Sequence, residues 1–310
     1  MLATVDSTLQ VHNQFLGAIL DGIGEHAMLH AAALEDRRGG VLLLAGPEGH
    51  GKSSLALELA SRGLRFLSDD YAPLNLATGF VSPYPRAVGV LPDGNAPIPE
   101  AFRRAARDPS VPRLLGKALL DVGRVLGEEY IATAPGPVKH VILLSSQGSE
   151  GEPSSRQTWI EIAARARFGE KIERALLNID GVEIVERRQK DEVRGWRLRV
   201  SHAHGPTQAL SRVLESRAVL FVRKSWTRAP GFDATPSAAP VSRRSAAYLL
   251  GQEILNRRGR SRFFVRYRKD VVKLVLDLAG SLAQAACWRV TVGDLQKTAN
   301  LVEKLTTTGI

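Results

Sequence analysis

The chain is expected to fold as an α/β protein, and three consecutive features carry that expectation. Val41-Leu42-Leu43-Leu44-Ala45 is a short, wholly apolar run of the kind that forms a strand buried on both faces. It passes straight into a glycine-bearing loop, Gly46 to Ser53, after which Leu55, Leu57, Leu59 and Ala60 read as a helix. Gly63 then stops that helix, Leu64 to Leu67 reads as the next strand, and Ser68-Asp69-Asp70 stands at the strand's carboxyl end. In such sheets ligands bind outside the carboxyl ends of the strands, so the loop and the aspartate pair should open on one crevice.

The other elements follow in order. Residues 1–26 form an N-terminal segment in which Val11 to Leu20 has helical apolar spacing, and His30 to Leu34 leads into a turn at Arg38-Gly39-Gly40. Gly79 to Pro112 is proline-rich, and Ser82-Pro83-Tyr84-Pro85-Arg86 can be neither central strand nor helix, so this stretch is expected to supply loops around the site. Leu114 to Leu126 reads as a helix, Val138 to Ser145 as an apolar strand, Ser146 to Ser155 as a polar turn and Gln157 to Leu177 as helical. Trp196 to Val200 and Ala218 to Val222 read as strands, closing a core expected to span 27–224. Ala229 to Val241 looks like a linker, within a connecting region at 225–245. The final segment, 246–310, should hold helices at Ala246 to Leu255 and Val271 to Ala286, a strand at Trp288 to Val292 and a helix at Leu295 to Leu305.

With 310 residues, 44% of them apolar, the chain can bury a full core. Its single cysteine, Cys287, excludes an internal disulfide framework and a cysteine-built metal site, and fits a reducing, cytoplasmic setting. The start lacks a secretory pattern, and the apolar run Val271 to Ala283 is broken by Lys273 and Asp277, so no membrane span is expected. The net charge of +10 is uneven: residues 1–150 carry 13 Lys/Arg against 16 Asp/Glu, and 151–310 carry 29 against 16. A basic half of this kind suits an acidic partner or a solvated face. The densest part, Arg257 to Lys269, mixes cations with Phe263, Phe264 and Tyr267; nucleic acid is the less expected partner for it.

The segment Gly46-Pro47-Glu48-Gly49-His50-Gly51-Lys52-Ser53 satisfies G-x-x-x-x-G-K-[ST] without a mismatch, between the required strand and helix. Its glycines let successive backbone N–H groups turn inward around an anion, and the following helix points its positive end at the same place. Lys52 is expected to reach the β- and γ-phosphates of ATP, Ser53 to hold Mg²⁺, and Ser54 to complete the binding loop. Asp69 and Asp70 would supply the two carboxylates that phosphoryl transfer needs, one beside the metal and one toward the attacking hydroxyl. The later apolar strand, Val141 to Leu144, ends in Ser145-Ser146-Gln147 with no carboxylate, which disfavours a motor or transporter ATPase.

Three segments carry a family resemblance. They are Leu29-His30-Ala31-Ala32-Ala33, the loop Gly46 to Ser54, and Phe66-Leu67-Ser68-Asp69-Asp70-Tyr71-Ala72-Pro73-Leu74, with 22 residues from His30 to Lys52 and 17 from Lys52 to Asp69. They resemble the catalytic domain of HPr kinase/phosphorylase and the shorter bacterial HPr-kinase-related proteins, which share a phosphoenolpyruvate-carboxykinase-like P-loop fold. A proline-flanked arginine, Tyr84-Pro85-Arg86-Ala87, and the closing Cys287 to Leu295 are similar to the family as well. The resemblance implies a P-loop kinase core with a mixed sheet and flanking helices. It implies ATP- and Mg²⁺-dependent phosphorylation of a serine or similar hydroxyl on a peptide, protein or small molecule, often by a homo-oligomer. On these positions Asp69 looks like the general base and Asp70 like the metal-side carboxylate, with the two roles exchangeable. His30 would sit near the transferred phosphoryl group and Arg86 would stabilise charge on the γ-phosphate. The glycine-rich signature of full HPr kinases beyond the aspartate pair is not found, which puts HPr itself and phosphorylase activity outside the expectation. Two other readings stand beside it: a small-metabolite kinase of shikimate-kinase type, which usually spaces its carboxylates as Asp-x-Asp, and a nucleotide-binding switch whose basic half binds a polyanion.

Overall fold

A computed structural model describes residues 18–20, 22–47, 49–92, 97–114, 117–146, 157–190, 192–201, 210, 213, 219–226, 235–255, 262–267 and 270–307. These fall into two compact units, one drawn from 12–147 and 230–310 and the other from the 148–229 stretch. Most of the second unit thus falls in the region read from sequence as one core, 27–224, and its end runs past it.

In the larger unit the chain begins with β1 (His26–Leu29), β2 (Ala31–Glu35) and β3 (Val41–Ala45), then α1 (Lys52–Ser61), β4 (Arg65–Ser68), β5 (Ala72–Asn75) and β6 (Phe80–Val81). There follow β7 (Val88–Val90), α2 (Glu100–Arg107), β8 (Arg113–Leu114), β9 (Lys117–Leu120), α3 (Val122–Leu126) and the long β10 (Gly136–Ser146). The smaller unit contributes β11 (Gln157–Arg165), α4 (Gly169–Leu177), β12 (Val182–Lys190), β13 (Val193–Ser201) and β14 (Val219–Trp226). The chain then returns through β15 (Ser237–Pro240), α5 (Arg243–Gln252), α6 (Arg262–Tyr267), α7 (Val271–Ser281), β16 (Ala286–Val292) and α8 (Leu295–Thr307).

The mixed sheet of the larger unit runs β4-β2-β3-β10-β16-β15, with β3, β10 and β16 mutually parallel and the other pairs antiparallel. The meander β6-β5-β1 attaches at the start of β10 through Gly136 and Pro137. Every residue of β3 is buried because successive side chains enter opposite layers. Val41, Leu43 and Ala45 join the layer closed by Leu250, Phe263, Leu274 and Leu278 of α5, α6 and α7. Leu42 and Leu44 join the layer closed by Leu55 and Leu59 of α1 and Ala299 and Val302 of α8. This explains a strand without polar alternation, and truncating Leu43, which is fully buried, would cost about 2–5 kcal/mol. A smaller cluster lies under the three-stranded sheet β7-β9-β8, where Phe102 of α2 meets Phe66 and Leu57.

The smaller unit is an antiparallel sheet, β12-β13-β11-β14. Ile172 and Leu176 of α4 pack with Ile160, Ile162, Trp196 and Leu198. Glu173 accepts from the buried Trp196 indole at 3.1 Å and pairs with Arg187 at 2.6 Å, and these hydrogen bonds hold its carboxyl below the usual range.

Several sequence expectations change. Gln157 to Leu177 is not one helix: Ile160, Ile162 and Ala164 are buried with period two, so β11 precedes the helix. Leu114 to Leu126 is a short β8–β9 pairing followed by α3, because the Asp121 carboxylate accepts from the N–H groups of Gly123 (2.9 Å) and Arg124 (3.3 Å) and caps a new helix there. The proline-rich stretch after Gly79 carries β6, β7 and α2, whereas Ala31 to Leu34 lies in β2 and leads into a turn at Arg38-Gly39-Gly40 as expected. β15, within the expected linker, pairs with β16. β12 is too charged to announce itself, since its neighbour β13 supplies opposite charges across the ladder, such as Arg199 to Glu183. The expected N-terminal helix and the polar turn Ser146 to Ser155 fall largely outside the described residues. Among the described residues no helix is long and apolar enough to cross a membrane.

Candidate functional site

The site begins where β3 ends. Gly46 has φ 150°, and a Cβ there would lie 2.6 Å from the Leu144 carbonyl oxygen of neighbouring β10, so only glycine lets the chain turn out of the sheet. His50 N–H donates to Pro47 O at 3.3 Å, closing a turn. Gly51, at φ 81°, caps α1 without any side-chain hydrogen bond, and no acidic residue stands in the first turn. No capping side chain is set against the start of α1, and a helix start of this kind suits an external anion. Lys52 is buried and its Nζ donates to Gly46 O at 2.6 Å and Pro47 O at 3.2 Å, holding the loop's two ends together.

The next side chain joins the loop to β4. Ser53 Oγ lies 3.0 and 2.9 Å from the two oxygens of Asp69 and donates to that carboxylate. Asp69 is only 3% exposed. Burial first, and then the charge of adjacent Asp70, push its pKa up to about 7, against the Ser53 hydrogen bond and the cations Lys52 and Arg86. Asp70 has φ 64°, the one non-glycine positive φ among the described residues, and this left-handed turn sends it away from its neighbour's course. Its Oδ1 lies 3.8 Å from Nδ1 of His30. His30 is fixed from behind, because its backbone N–H donates to Glu253 O at 2.7 Å and Leu29 bridges to Ile254, beyond the end of α5.

Arg86 arrives on a separate segment. Tyr84 bridges to Ser68 and its N–H donates to Leu67 O at 2.8 Å, so the Tyr84-Pro85-Arg86 turn runs beside the end of β4. The Arg86 guanidinium carbon stands 4.7 Å from the centre of the Tyr71 ring, and the Tyr71 and Tyr84 rings meet edge to face at 6.2 Å. Ser68 Oγ is fully buried with no hydrogen-bond partner.

The structure thus gathers Lys52, Ser53, Asp69, Asp70, His30 and Arg86 around one strand end. Ser54 points elsewhere: with His50, Leu55, Pro97, Val292 and Leu295 it lines a shallow cleft on the α8 side of the loop. Glu48 lies outside the described residues. Sequence reasoning missed the roles of Tyr71, Tyr84 and Glu253 as supports, because apart from the local Tyr84–Arg86 bond their partners are 13 or more residues away. Two of the three aromatic groups read as base-stacking candidates in the basic segment are otherwise engaged, and the Phe264 side chain lies outside the described set. Phe263 and Tyr267 are buried in the α5–α7 layer, and the Tyr267 hydroxyl donates to Asp277 at 2.8 Å; residues 257–261 and 268–269 lie outside the described set.

A divalent cation fits this donor set in part. A buried carboxylate with a raised pKa, a second carboxylate and a serine hydroxyl would all be better satisfied beside one. Among the described residues there is no group of three or more His, Cys, Asp or Glu that would hold a metal alone. Such a corner suits a magnesium ion that takes its other ligands from water and nucleotide phosphates.

No family model matches the chain, and no curated protein matches it. Among solved structures it is similar to the HPr(Ser) kinase/phosphatase from Coxiella burnetii, at 19% identity over 41% of this chain and 74% of that one, with a TM-score of 0.25. A likeness of that size assigns no function, which leaves the geometry of the site to carry the functional reading.

Proposed function

We propose that the protein is a kinase that transfers the γ-phosphoryl group of ATP to a hydroxyl on a peptide, protein or small molecule, a serine hydroxyl being the expected case. The observation that carries this reading is the coupling of an uncapped, glycine-led helix start to a buried aspartate through Ser53, with Lys52 locked across the loop. The inward N–H groups and the α1 N-terminus would receive the phosphates, and Lys52 would offset charge on the β/γ side. Mg²⁺, when bound with the nucleotide near Ser53, would neutralise phosphate charge.

The sequence leaves the roles of Asp69 and Asp70 exchangeable. A pKa near 7 suits a general base, but Asp69 is nearly inaccessible and both its oxygens face Ser53, so an incoming hydroxyl would have to displace that serine. Asp70 is 48% exposed and stands beside His30. These facts support Asp69 on the metal side and Asp70 toward the acceptor. In the transfer step the acceptor oxygen bonds to the γ-phosphorus as its bond to the β,γ-bridging oxygen breaks. The hydroxyl proton passes to Asp70, and ADP leaves.

The test is incubation with Mg²⁺ and γ-labelled ATP, with and without pools of peptides, proteins and small molecules. Label should reach a discrete acceptor with the natural protein and not with Asp70→Asn. Asp69→Asn should instead raise the Mg²⁺ concentration needed for half-maximal transfer. Tight ATP binding without transfer to any pool would remove the kinase reading and leave a nucleotide-binding switch.

A further inference from the structure

The Arg86 side chain is held in an unusual way for a cation next to two carboxylates. Among the described residues no carboxylate oxygen lies within 4 Å of its guanidinium; it stands 4.7 Å from the centre of the Tyr71 ring and also engages that residue's hydroxyl. A neutral tyrosine can fix a guanidinium without cancelling its charge. The ring is itself fixed. Tyr71 directly follows Asp70, whose left-handed backbone sets the direction in which the chain leaves the strand end. Tyr84 meets it edge to face at 6.2 Å with the planes 63° apart. Tyr84 is pinned to β4 by its N–H bond to Leu67 O, and Arg86 N–H closes back on Tyr84 O at 2.8 Å across Pro85. Platform, support and arginine are therefore tied to the same strand end that presents Asp69.

We infer that Tyr71 is a positioning residue for Arg86: its ring keeps the guanidinium in place and unneutralised beside the aspartate pair, so that the anion Arg86 meets is the terminal phosphate of a bound nucleoside triphosphate. This rests on the kinase reading for the place of the phosphates. A guanidinium that swings freely would have to be ordered when the nucleotide binds, whereas one already stacked is ordered beforehand. The consequence is selective. Loss of the platform should weaken the ligand that owns a γ-phosphate and spare the one that lacks it.

The measurement is the affinity of fluorescent ATP and ADP analogues, with Mg²⁺, for the natural protein and for Lys52→Ala, Arg86→Ala, Tyr71→Leu, Tyr71→Phe and the Tyr71→Leu/Arg86→Ala pair. Tyr71→Leu should weaken ATP by about fivefold or more while ADP changes less than about twofold. Tyr71→Phe, which keeps the ring and loses the hydroxyl, should fall between the natural protein and Tyr71→Leu in ATP preference, and the double variant should be no worse than Arg86→Ala. If Tyr71→Leu does not fold, Tyr84→Leu, which removes the edge-on support, should give a weaker form of the same selective loss. An unchanged ATP-to-ADP ratio in Tyr71→Leu, or equal weakening of both nucleotides, overturns the inference while leaving the kinase reading intact. So does an Arg86→Ala variant that keeps its ATP preference. If the natural protein binds neither nucleotide, or Lys52→Ala binds both as well as it does, the kinase reading itself fails and the inference falls with it.

Discussion

The two ends of α1 carry comparable amounts of charge and treat it in opposite ways. At the C-terminal end Arg62 donates to Glu58 at 2.7 Å, Asn300 at 2.6 Å, Glu303 at 2.8 Å and the side chain of Gln296, tying α1 to α8. Burial works against this charge, but the paired carboxylates win and hold the Arg62 pKa above its usual value. At the N-terminal end the helix has no side-chain cap, Arg86 rests on a neutral ring, and Asp69 is buried with its pKa pushed up to about 7. A closed network stabilises the fold; an open one holds desolvated charge for a ligand to complete. The contrast separates residues that keep α1 in place from residues that use it.

The sharpest way to break the comparison is at Lys52. Lys52→Ala should lower phosphoryl transfer by at least about 100-fold, since the phosphates lose a fixed charge, while the melting temperature moves little. Arg62→Ala should do the reverse. It leaves the nearly buried Glu58 without its cation, and should destabilise the fold by about 2–3 kcal/mol in denaturant titrations, with ATP affinity for the folded protein unchanged. Equal loss of transfer and stability in either variant would show that the two ends are one device.

This difference also marks what the sequence can disclose. The loop was legible because Gly46, Gly51, Lys52 and Ser53 are set by local chain geometry, and an all-apolar β3 has few alternatives to a buried strand. The aspartate pair was legible as a position but not as a geometry. Nothing in Asp69-Asp70 says that one lies buried against Ser53 and the other turns to His30, because that depends on a left-handed backbone at Asp70 and on an α5 end more than 200 residues from His30. Beyond its local pair with Glu58, the Arg62 network was invisible for the same reason, its α8 partners lying 234 to 241 residues away. β11 misled because Thr158-Trp159-Ile160-Glu161-Ile162 fits a helix face nearly as well as a strand until its neighbours β13 and β14 are known.

The smallest expected effect sharpens the comparison most, because it reads the uncompensated charge directly. Asp69 titrates near 3.8 in an unfolded chain and at about 7 in the folded one. Between about pH 4 and pH 7 the folded protein therefore keeps a proton that the unfolded chain has released, and folding stability falls as pH rises through that window. Below it the group contributes no penalty; above it the full penalty is present. The size should be on the order of 1–2 kcal/mol, because Asp70 shares the titration. Urea titrations from pH 4.5 to 8 should show this decline, and Asp69→Asn should flatten it and be the more stable protein at pH 8. A cation beside the pair favours the ionised form, so Mg²⁺ with ATP should flatten the natural protein's profile as well. A pH slope that survives Asp69→Asn would place the stored charge elsewhere and remove the distinction between the two ends of the helix.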